Sequence, residues 1–229
     1  VSPLCFIVSW WMVKQFAPFS KGSGIPQVMA SIELAKPGEA GKINRLLSIK
    51  VITVKVCSSV LMVLGGGVIG REGPTIQIAA SVFRKVNLWL PKWWPKISKR
   101  NMILTGAAAG LAAAFNTPLG GIVFAVEELS KTHINYFKTA LFTAVIIAGL
   151  TAQALAGRYL YIGYPEITNL SPYIFIGVIA VAVIAGLAGS SMCRIMLSVL
   201  AWKKRFRSLL QHVLFLVCCA LLFVLPAML

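Results

Sequence analysis

Charged residues are scarce in this chain, and acidic ones are the scarcest. Charged residues make up 12% of the 229, and six glutamates, with no aspartate, stand against 22 lysines and arginines. A soluble domain usually carries about twice that share of charge. Here 58% of the residues are hydrophobic, and the mean hydropathy is +0.84. This composition excludes an ordinary soluble domain and predicts a polytopic helical membrane protein.

Side chains that bind metals are also few. The five cysteines show no paired spacing of the kind that holds zinc, and the adjacent Cys218 and Cys219 lie in an apolar run. The two histidines, His133 and His212, are far apart in the sequence and have no carboxylate-rich surroundings. We therefore expect no metal site and no cofactor.

The excess of positive charge needs an explanation other than nucleic acid. The formal charge is +16, but the basic residues are spread over short segments between apolar runs. The positive-inside rule describes this distribution, whereas a nucleic-acid-binding protein gathers its basic residues on one soluble face. We therefore expect no nucleic-acid partner. We assign the basic segments 36–50, 84–100 and 203–207 to the cytoplasmic side and the basic-poor segment 157–172 to the other side.

The apolar runs predict a series of helices separated by breaks. Helices are expected at 1–19, 26–35, 51–70, 75–90, 102–115, 118–127, 136–156 and 173–202, with a last apolar run after Arg207. Segment 36–50 is expected to be a loop because Pro37 and Gly38 interrupt the pattern. No basic segment precedes the first apolar run, so we expect no signal peptide. Both ends lie in apolar runs, which suggests a fragment of a longer membrane protein.

The stretch Gly70-Arg71-Glu72-Gly73-Pro74 places a carboxylate between two apolar runs. A charge at the bilayer centre costs roughly 3 kcal/mol or more, so it requires a reason. Pro74 suits the first turn of a new helix, and the free N–H groups at such an N-terminus attract anions. The stretch predicts a helix break, with a new helix starting at Gly73 or Pro74 and Glu72 lying over an anion site. The alternative is a surface loop with an exposed glutamate.

Two further stretches follow the same pattern of small residues before a helix-starting proline. Gly22-Ser23-Gly24-Ile25-Pro26 precedes a short helix, and Ser23 is its one polar side chain. Asn116-Thr117-Pro118 interrupts the apolar run 102–126, which closes on Glu127 and Glu128. The small residues from Ala107 to Ala114 predict close helix packing.

The three motifs, GSGIP, GREGP and GAAAGLAAAFNTPLGGIVFAVEE, stand in an order that resembles the CLC family of chloride channels and chloride/proton exchangers. The resemblance covers most of the chain. It implies an all-α polytopic membrane fold with broken and tilted helices, built from two inverted repeats. Residues 1–156 would form the first-repeat region that carries the motifs, and 157–229 the linker and first helices of an incomplete second repeat.

The resemblance also implies roles for individual residues. Glu72 would be the gate, and Glu72 and Glu128 would transfer protons. Chloride would bind at Ser23, Gly24, Ile25, Gly73 and Pro74. Arg71 is given a structural or entrance role, because a permanent cation in the path would hold chloride too tightly. The family's second motif, G-x-F-x-P, is absent from these residues, so we expect part of the chloride site to lie outside this chain.

The transported ions implied are chloride and protons, and the protein implied is a homodimer in a lipid bilayer, in the inner membrane of a bacterium. Chloride/proton exchange is favoured over a passive gated chloride channel, because channels of the family usually carry a non-acidic residue at the position of Glu128. An intramembrane enzyme is the other class considered. Two carboxylates could do acid/base work, but neither a nucleophile nor a set of metal ligands accompanies Glu72, so no enzymatic activity is expected.

Overall fold

The computed structural model describes residues 1–36, 38, 40–91, 93–94, 97–129, 138–157, 163, 174–206 and 208–224. Helices account for the secondary structure of these residues, and they include no strand. In chain order the α-helices are α1 Ser2–Phe16, α2 Ile25–Glu33, α3 Ala40–Leu46, α4 Ile49–Leu64, α5 Glu72–Trp89, α6 Lys99–Phe115, α7 Pro118–Phe124, α8 Lys138–Ala156, α9 Ile174–Lys203 and α10 Leu209–Val224. The predicted all-α class is confirmed.

Three helical segments among the described residues are long and apolar enough to cross a membrane. They are Gly41–Leu64, Thr139–Ala156 and Ile174–Lys203. The chain divides into two units, one of residues 1–160 and 217–229 and the other of residues 161–216. The predicted boundary between repeats, at 156/157, stays a prediction.

Helix α6 forms the centre of the first unit. It packs against α2, α5, α7 and α8, and nearly all its residues from Ile103 to Ala112 are buried. Small residues make this possible, because a Cβ added to Gly106 would lie 2.7 Å from Phe83 Cβ and one added to Gly110 would lie 2.8 Å from Ala79 Cβ. The close packing predicted for this segment is confirmed, and it fixes the position of α5.

The segment expected to be a loop, 36–50, is largely helical, so that prediction is wrong. It contains α3 and the start of α4, and the Ser48 hydroxyl accepts a hydrogen bond from Val51 N–H at 3.3 Å, which caps α4. Ile43 and Leu47 are fully buried. The burial of these apolar side chains therefore outweighed the helix-breaking preferences of Pro37 and Gly38.

The helix expected at 51–70 ends earlier, at Leu64. Three consecutive glycines follow, and Gly66 adopts a φ of 80°, which ends the helix. The helix expected at 118–127 is not α-helical throughout. The α-helix α7 ends at Phe124, and a π-helical turn covers Ala125–Leu129. The segment 157–172 lies outside the described residues except for Gly157 and Gly163.

The second unit contains α9, which is 30 residues long and has no buried residue among those described. At its C-terminal end Trp202 contacts Phe206 and Phe215 in edge-to-face geometry, and the ammonium of Lys203 lies 5.5 Å from the centre of the Phe215 ring. These contacts stabilise the turn between α9 and α10.

Candidate anion site at two helix N-termini

Two of the predicted helix breaks meet in space. Helix α2 begins at Ile25 after Gly24, whose φ of 100° ends the preceding turn, and α5 begins at Glu72. A Cβ added to Gly73 would lie 2.6 Å from the Ser23 carbonyl oxygen and 2.7 Å from Ser23 Cβ. The N-termini of α2 and α5 therefore converge on Ser23 and Gly73, although 50 residues separate them in sequence, and glycine is what permits the contact.

Both helices begin at this junction with amide donors that the hydrogen bonds of the helix do not use. The first hydrogen bonds within the helices run from Val28 N–H to Gly24 O and from Thr75 N–H to Arg71 O, both 3.1 Å. The N–H groups of Ile25 and Gly73 precede them and have no acceptor within their own helix. The side chain of Ser23 is exposed at the same place. One serine hydroxyl and a few amides are a donor set suited to an anion.

Proline limits what one of the predicted chloride-binding positions, Pro74, can do. Pro26 and Pro74 lie in the first turns of their helices, where a missing N–H costs nothing. Pro74 was predicted as a chloride-binding residue, but it has no N–H to donate, so any contribution it makes to the site is through the shape of the turn. Gly24 is buried and Gly73 is buried, which keeps the junction narrow.

Glu72 lies in the first turn of α5 and not ahead of it, so the predicted helix start at Gly73 or Pro74 is late by one or two residues. Arg71 occupies the capping position. The Glu72 carboxylate is half-buried, and its Oε2 would be 2.9 Å from a Cβ added to Gly70, so it folds back over the break. The helix dipole favours a carboxylate in the first turn of a helix. The same free N–H groups would also favour an anion bound at this end of α5.

Lys55, which sequence reasoning did not single out, holds the turn that carries Ser23. It is 2% exposed, and its ammonium donates hydrogen bonds to Ser20 O at 2.8 Å and Gly22 O at 2.7 Å. The available signal was a lone lysine between Val54 and Val56 in an apolar helix. Ionisable residues in such positions are rare and commonly functional.

Gln77 supports the same turn from α5. It is 1% exposed, and its amide nitrogen donates to Phe19 O at 3.2 Å and Leu46 O at 3.1 Å. Its amide oxygen would be 2.6 Å from a Cβ added to Gly24. Gln77 therefore ties the turn before α2 to the end of α3, and it requires glycine at position 24.

Arg71 is the residue that caps α5, next to the junction. Its exposed side chain lines a cavity of about 350 Å³, which Thr75, Asn116 and Ala152 also line. Asn116 ends α6 with a φ of 57° and precedes Pro118, as the third motif predicts for a break. A cation that lines an open cavity beside the junction fits the entrance role expected for Arg71, which stays a prediction.

Glu127 and Glu128 lie in the π-helical turn that follows α7. Glu127 is exposed, and the side chain of Glu128 lies outside the described part of the structure. π-Turns occur frequently at functional sites. In the part of the chain that the structure describes, no group of three or more His, Cys, Asp or Glu side chains could hold a metal ion.

Broken helices with converging N-termini, within an apolar all-α chain, are typical of polytopic membrane transport proteins. The family model described as "Voltage gated chloride channel" matches residues 5–229. The chain belongs to this family, the CLC family that its motifs resemble, and it is an integral membrane protein.

The relatives found include three bacterial proteins, each named H(+)/Cl(-) exchange transporter ClcA. The one from Cronobacter sakazakii is 33% identical over 199 residues, which cover 86% of this chain and 40% of the relative. The one from Citrobacter koseri is 34% identical over 171 residues, 74% of this chain and 34% of the relative. The one from Salmonella arizonae is 33% identical over 186 residues, 78% of this chain and 37% of the relative. The chain thus spans about a third to two fifths of these relatives.

Proposed function

We propose that this chain supplies the first-repeat half of a proton-coupled chloride/proton antiporter. The observation that carries the proposal is the convergence of the α2 and α5 N-termini on Ser23 and Gly73, with Glu72 one residue away. The similar bacterial proteins, which are named H(+)/Cl(-) exchange transporters, also support the proposal. The transported ions are chloride and protons, and no cofactor is required.

Chloride binds at the junction through Ser23, Ile25 and Gly73. The hydroxyl of Ser23 and the N–H groups of Ile25 and Gly73 donate to the anion, while Gly24 sets the turn and Pro74 shapes the start of α5. The field of two helix N-termini favours a negative charge at this place. None of these ligands carries a full positive charge, so binding is moderate and the ion can leave again.

Glu72 competes with chloride for the same positive field. Its carboxylate is tethered to the first turn of α5, next to Gly73. When it is ionised it occupies the outer end of the site, and when it binds a proton it loses the attraction and moves away. The arrival of a proton and the movement of chloride are thereby coupled through one side chain.

Glu128 is the proposed proton donor and acceptor at the cytoplasmic end, and Glu127 beside it is the less favoured candidate. A passive channel is the second candidate function, and the acid at position 128 argues against it. The working protein is a homodimer in the bilayer, and the bacterial relatives favour the inner membrane of a bacterium.

The experiment is a two-ion flux measurement on the full-length protein in liposomes. Glu72→Gln keeps the size of the side chain and removes its charge. We expect proton uptake driven by a chloride gradient to disappear while chloride flux continues. Glu33→Gln, which removes an exposed carboxylate at the other end of α2, is the control and should transport both ions. Undiminished proton uptake by Glu72→Gln would contradict the proposal.

A further inference from the structure

A small cavity lies between α3, the C-terminal half of α5 and the start of α6. Its volume is about 70 Å³, whereas one water molecule takes about 30 Å³ in the liquid. It therefore has room for a small group and not for a drug-sized molecule. Two cations, one amide and three apolar side chains line it: Arg84, Lys99, Asn87, Ile43, Leu88 and Met102.

The positive charge beside this cavity has no carboxylate partner among the described residues. Arg84 is 9% exposed, and its Nη1 donates to two neutral acceptors, Leu47 O at 2.7 Å and Asn44 Oδ1 at 3.2 Å. These bonds leave the N–H groups on Nη2 and Nε for another acceptor. Lys99 is the first residue of α6, whose first turn contains no acid, and the helix dipole disfavours a cation there. A bound anion would compensate both charges.

Asn87 gives an independent indication of a ligand. It is 7% exposed and lines the cavity, and its Nδ2 donates to Ile97 O at 2.9 Å. Its Oδ1 is buried and accepts no hydrogen bond in the described part of the chain. Burying an acceptor without a donor is unfavourable. We therefore expect the occupant of the cavity to offer an O–H or N–H group as well as a negative charge.

Exposed aromatic side chains at this end of α5 indicate that the cavity lies at the level of the lipid headgroups. Trp89 and Trp93 are 67% and 79% exposed, and Leu88, which lines the cavity, is 50% exposed. The ammonium of Lys85 lies 5.3 Å from the centre of the Trp89 ring. Tryptophan is enriched at the membrane–water interface, and anionic lipids there attract basic side chains. A lipid is therefore the source of negative charge closest to this cavity.

We propose that this cavity binds the headgroup of an anionic phospholipid that carries a hydroxyl group. The phosphate lies between Lys99 and Arg84, and the hydroxyl enters the cavity and donates to Asn87 Oδ1. The acyl chains stay outside, along the exposed side chains of Leu88 and Trp89. A phosphodiester with a hydroxylated headgroup meets both needs of the site, the charge and the donor. The site is separate from the proposed chloride site and does not depend on it.

The test measures lipid binding to the full-length protein in detergent by native mass spectrometry. The probes are phosphatidylglycerol, phosphatidylmethanol, which has the same charge and no hydroxyl group, and glycerol 3-phosphate, which has the same chemistry without acyl chains. Lys99→Gln removes one cation, and Asn87→Leu removes the unpaired acceptor. Lys204→Gln, which changes an exposed lysine outside the cavity, is the control. Thermal unfolding shows which variants are folded.

We expect wild-type protein to bind phosphatidylglycerol about fivefold more tightly than phosphatidylmethanol, since one hydrogen bond distinguishes them. Asn87→Leu should lose this preference. Lys99→Gln should bind both lipids about fivefold or more weakly, and Lys204→Gln should stay within about twofold of wild type. If Asn87→Leu does not fold, the two lipids on wild-type protein and the two lysine variants decide.

Three results would overturn the inference. Equal binding of the two lipids by wild-type protein would show that no hydroxyl meets Asn87, and that water fills the cavity. An equal loss in Lys99→Gln and Lys204→Gln would show general attraction between basic residues and anionic lipid. Binding of glycerol 3-phosphate as tight as that of phosphatidylglycerol would identify a soluble phosphate ester as the ligand. None of these results bears on the proposed chloride/proton exchange.

Discussion

Gly73→Ala is the smallest change that acts on the junction of the two helix N-termini. The added Cβ would lie 2.6 Å from Ser23 O, 2.7 Å from Ser23 Cβ and 2.9 Å from Ser23 Cα. Non-bonded carbon atoms settle at about 3.5–4.0 Å, so the backbone of α2 or α5 has to move by roughly 1 Å. All three contacts are with the backbone or Cβ of Ser23, so no flexible side chain can give way.

The displacement should reduce both stability and chloride binding. Forcing an extra methyl group into a packed site typically costs about 1–3 kcal/mol. A hydrogen bond to a charged partner contributes about 1.5–3 kcal/mol, and a shift of this size spoils at least one donor to the anion. We therefore expect chloride affinity to fall by about tenfold or more. Calorimetric titration of the full-length protein in detergent measures it directly.

Gly149→Ala is the matched control, because its added Cβ would lie 2.7 Å from Pro118 Cγ and 3.3 Å from Pro118 Cδ, within the packing of α8 on α7 and away from α2 and α5. It should lower the thermal unfolding midpoint and leave the chloride affinity of the folded protein within about threefold of wild type. Gly73→Ala should change the affinity as well. If Gly73→Ala binds chloride as wild type does, the two N-termini do not form the anion site.

Two other substitutions test the remaining site residues. Ser23→Ala removes the one side-chain donor at the junction and should weaken chloride binding by about tenfold, and unchanged affinity in calorimetry would show that the hydroxyl does not bind the ion. Glu128→Gln should stop proton uptake driven by a chloride gradient in liposomes while chloride still moves, and Glu127→Gln should have the smaller effect. The opposite order would reverse the assignment of the two glutamates, and no effect in either would favour a passive channel.

The positions of the helix breaks could be predicted from the sequence. The contact between two of these breaks in the folded chain could not be derived from the local sequence pattern. Glycine, a small polar residue and proline specify where a helix starts, because these preferences act within one turn. The contact of Gly73 with Ser23 depends instead on how α6 packs on both α2 and α5. That packing involves residues far apart in the chain, and only the resemblance to a known family implied it.

The errors in the helix bounds have local causes. The breakers Pro37 and Gly38 suggested a loop, yet Ile43 in α3 and Leu47 directly after it are buried, and the burial of these apolar side chains favours the helix. The start of α5 was predicted at Gly73 or Pro74, because a proline suits the first turn of a helix, whereas α5 starts at Glu72 and Pro74 still lies in its first turn. A first-turn glutamate is compatible with the helix dipole, so α5 includes it.

Lys55 shows that the residues which shape a site extend beyond the motifs that mark it. Its ammonium donates hydrogen bonds to Ser20 O at 2.8 Å and to Gly22 O at 2.7 Å, and these bonds hold the turn that carries Ser23. None of the three motifs contains this lysine, so the motifs alone could not assign it to the turn. A chloride transporter needs a site that attracts the ion and also releases it, and a cation in direct contact would hold the ion too tightly. The donors of the proposed site, the Ser23 hydroxyl and the N–H groups of Ile25 and Gly73, are neutral, so they suit an ion that has to leave again.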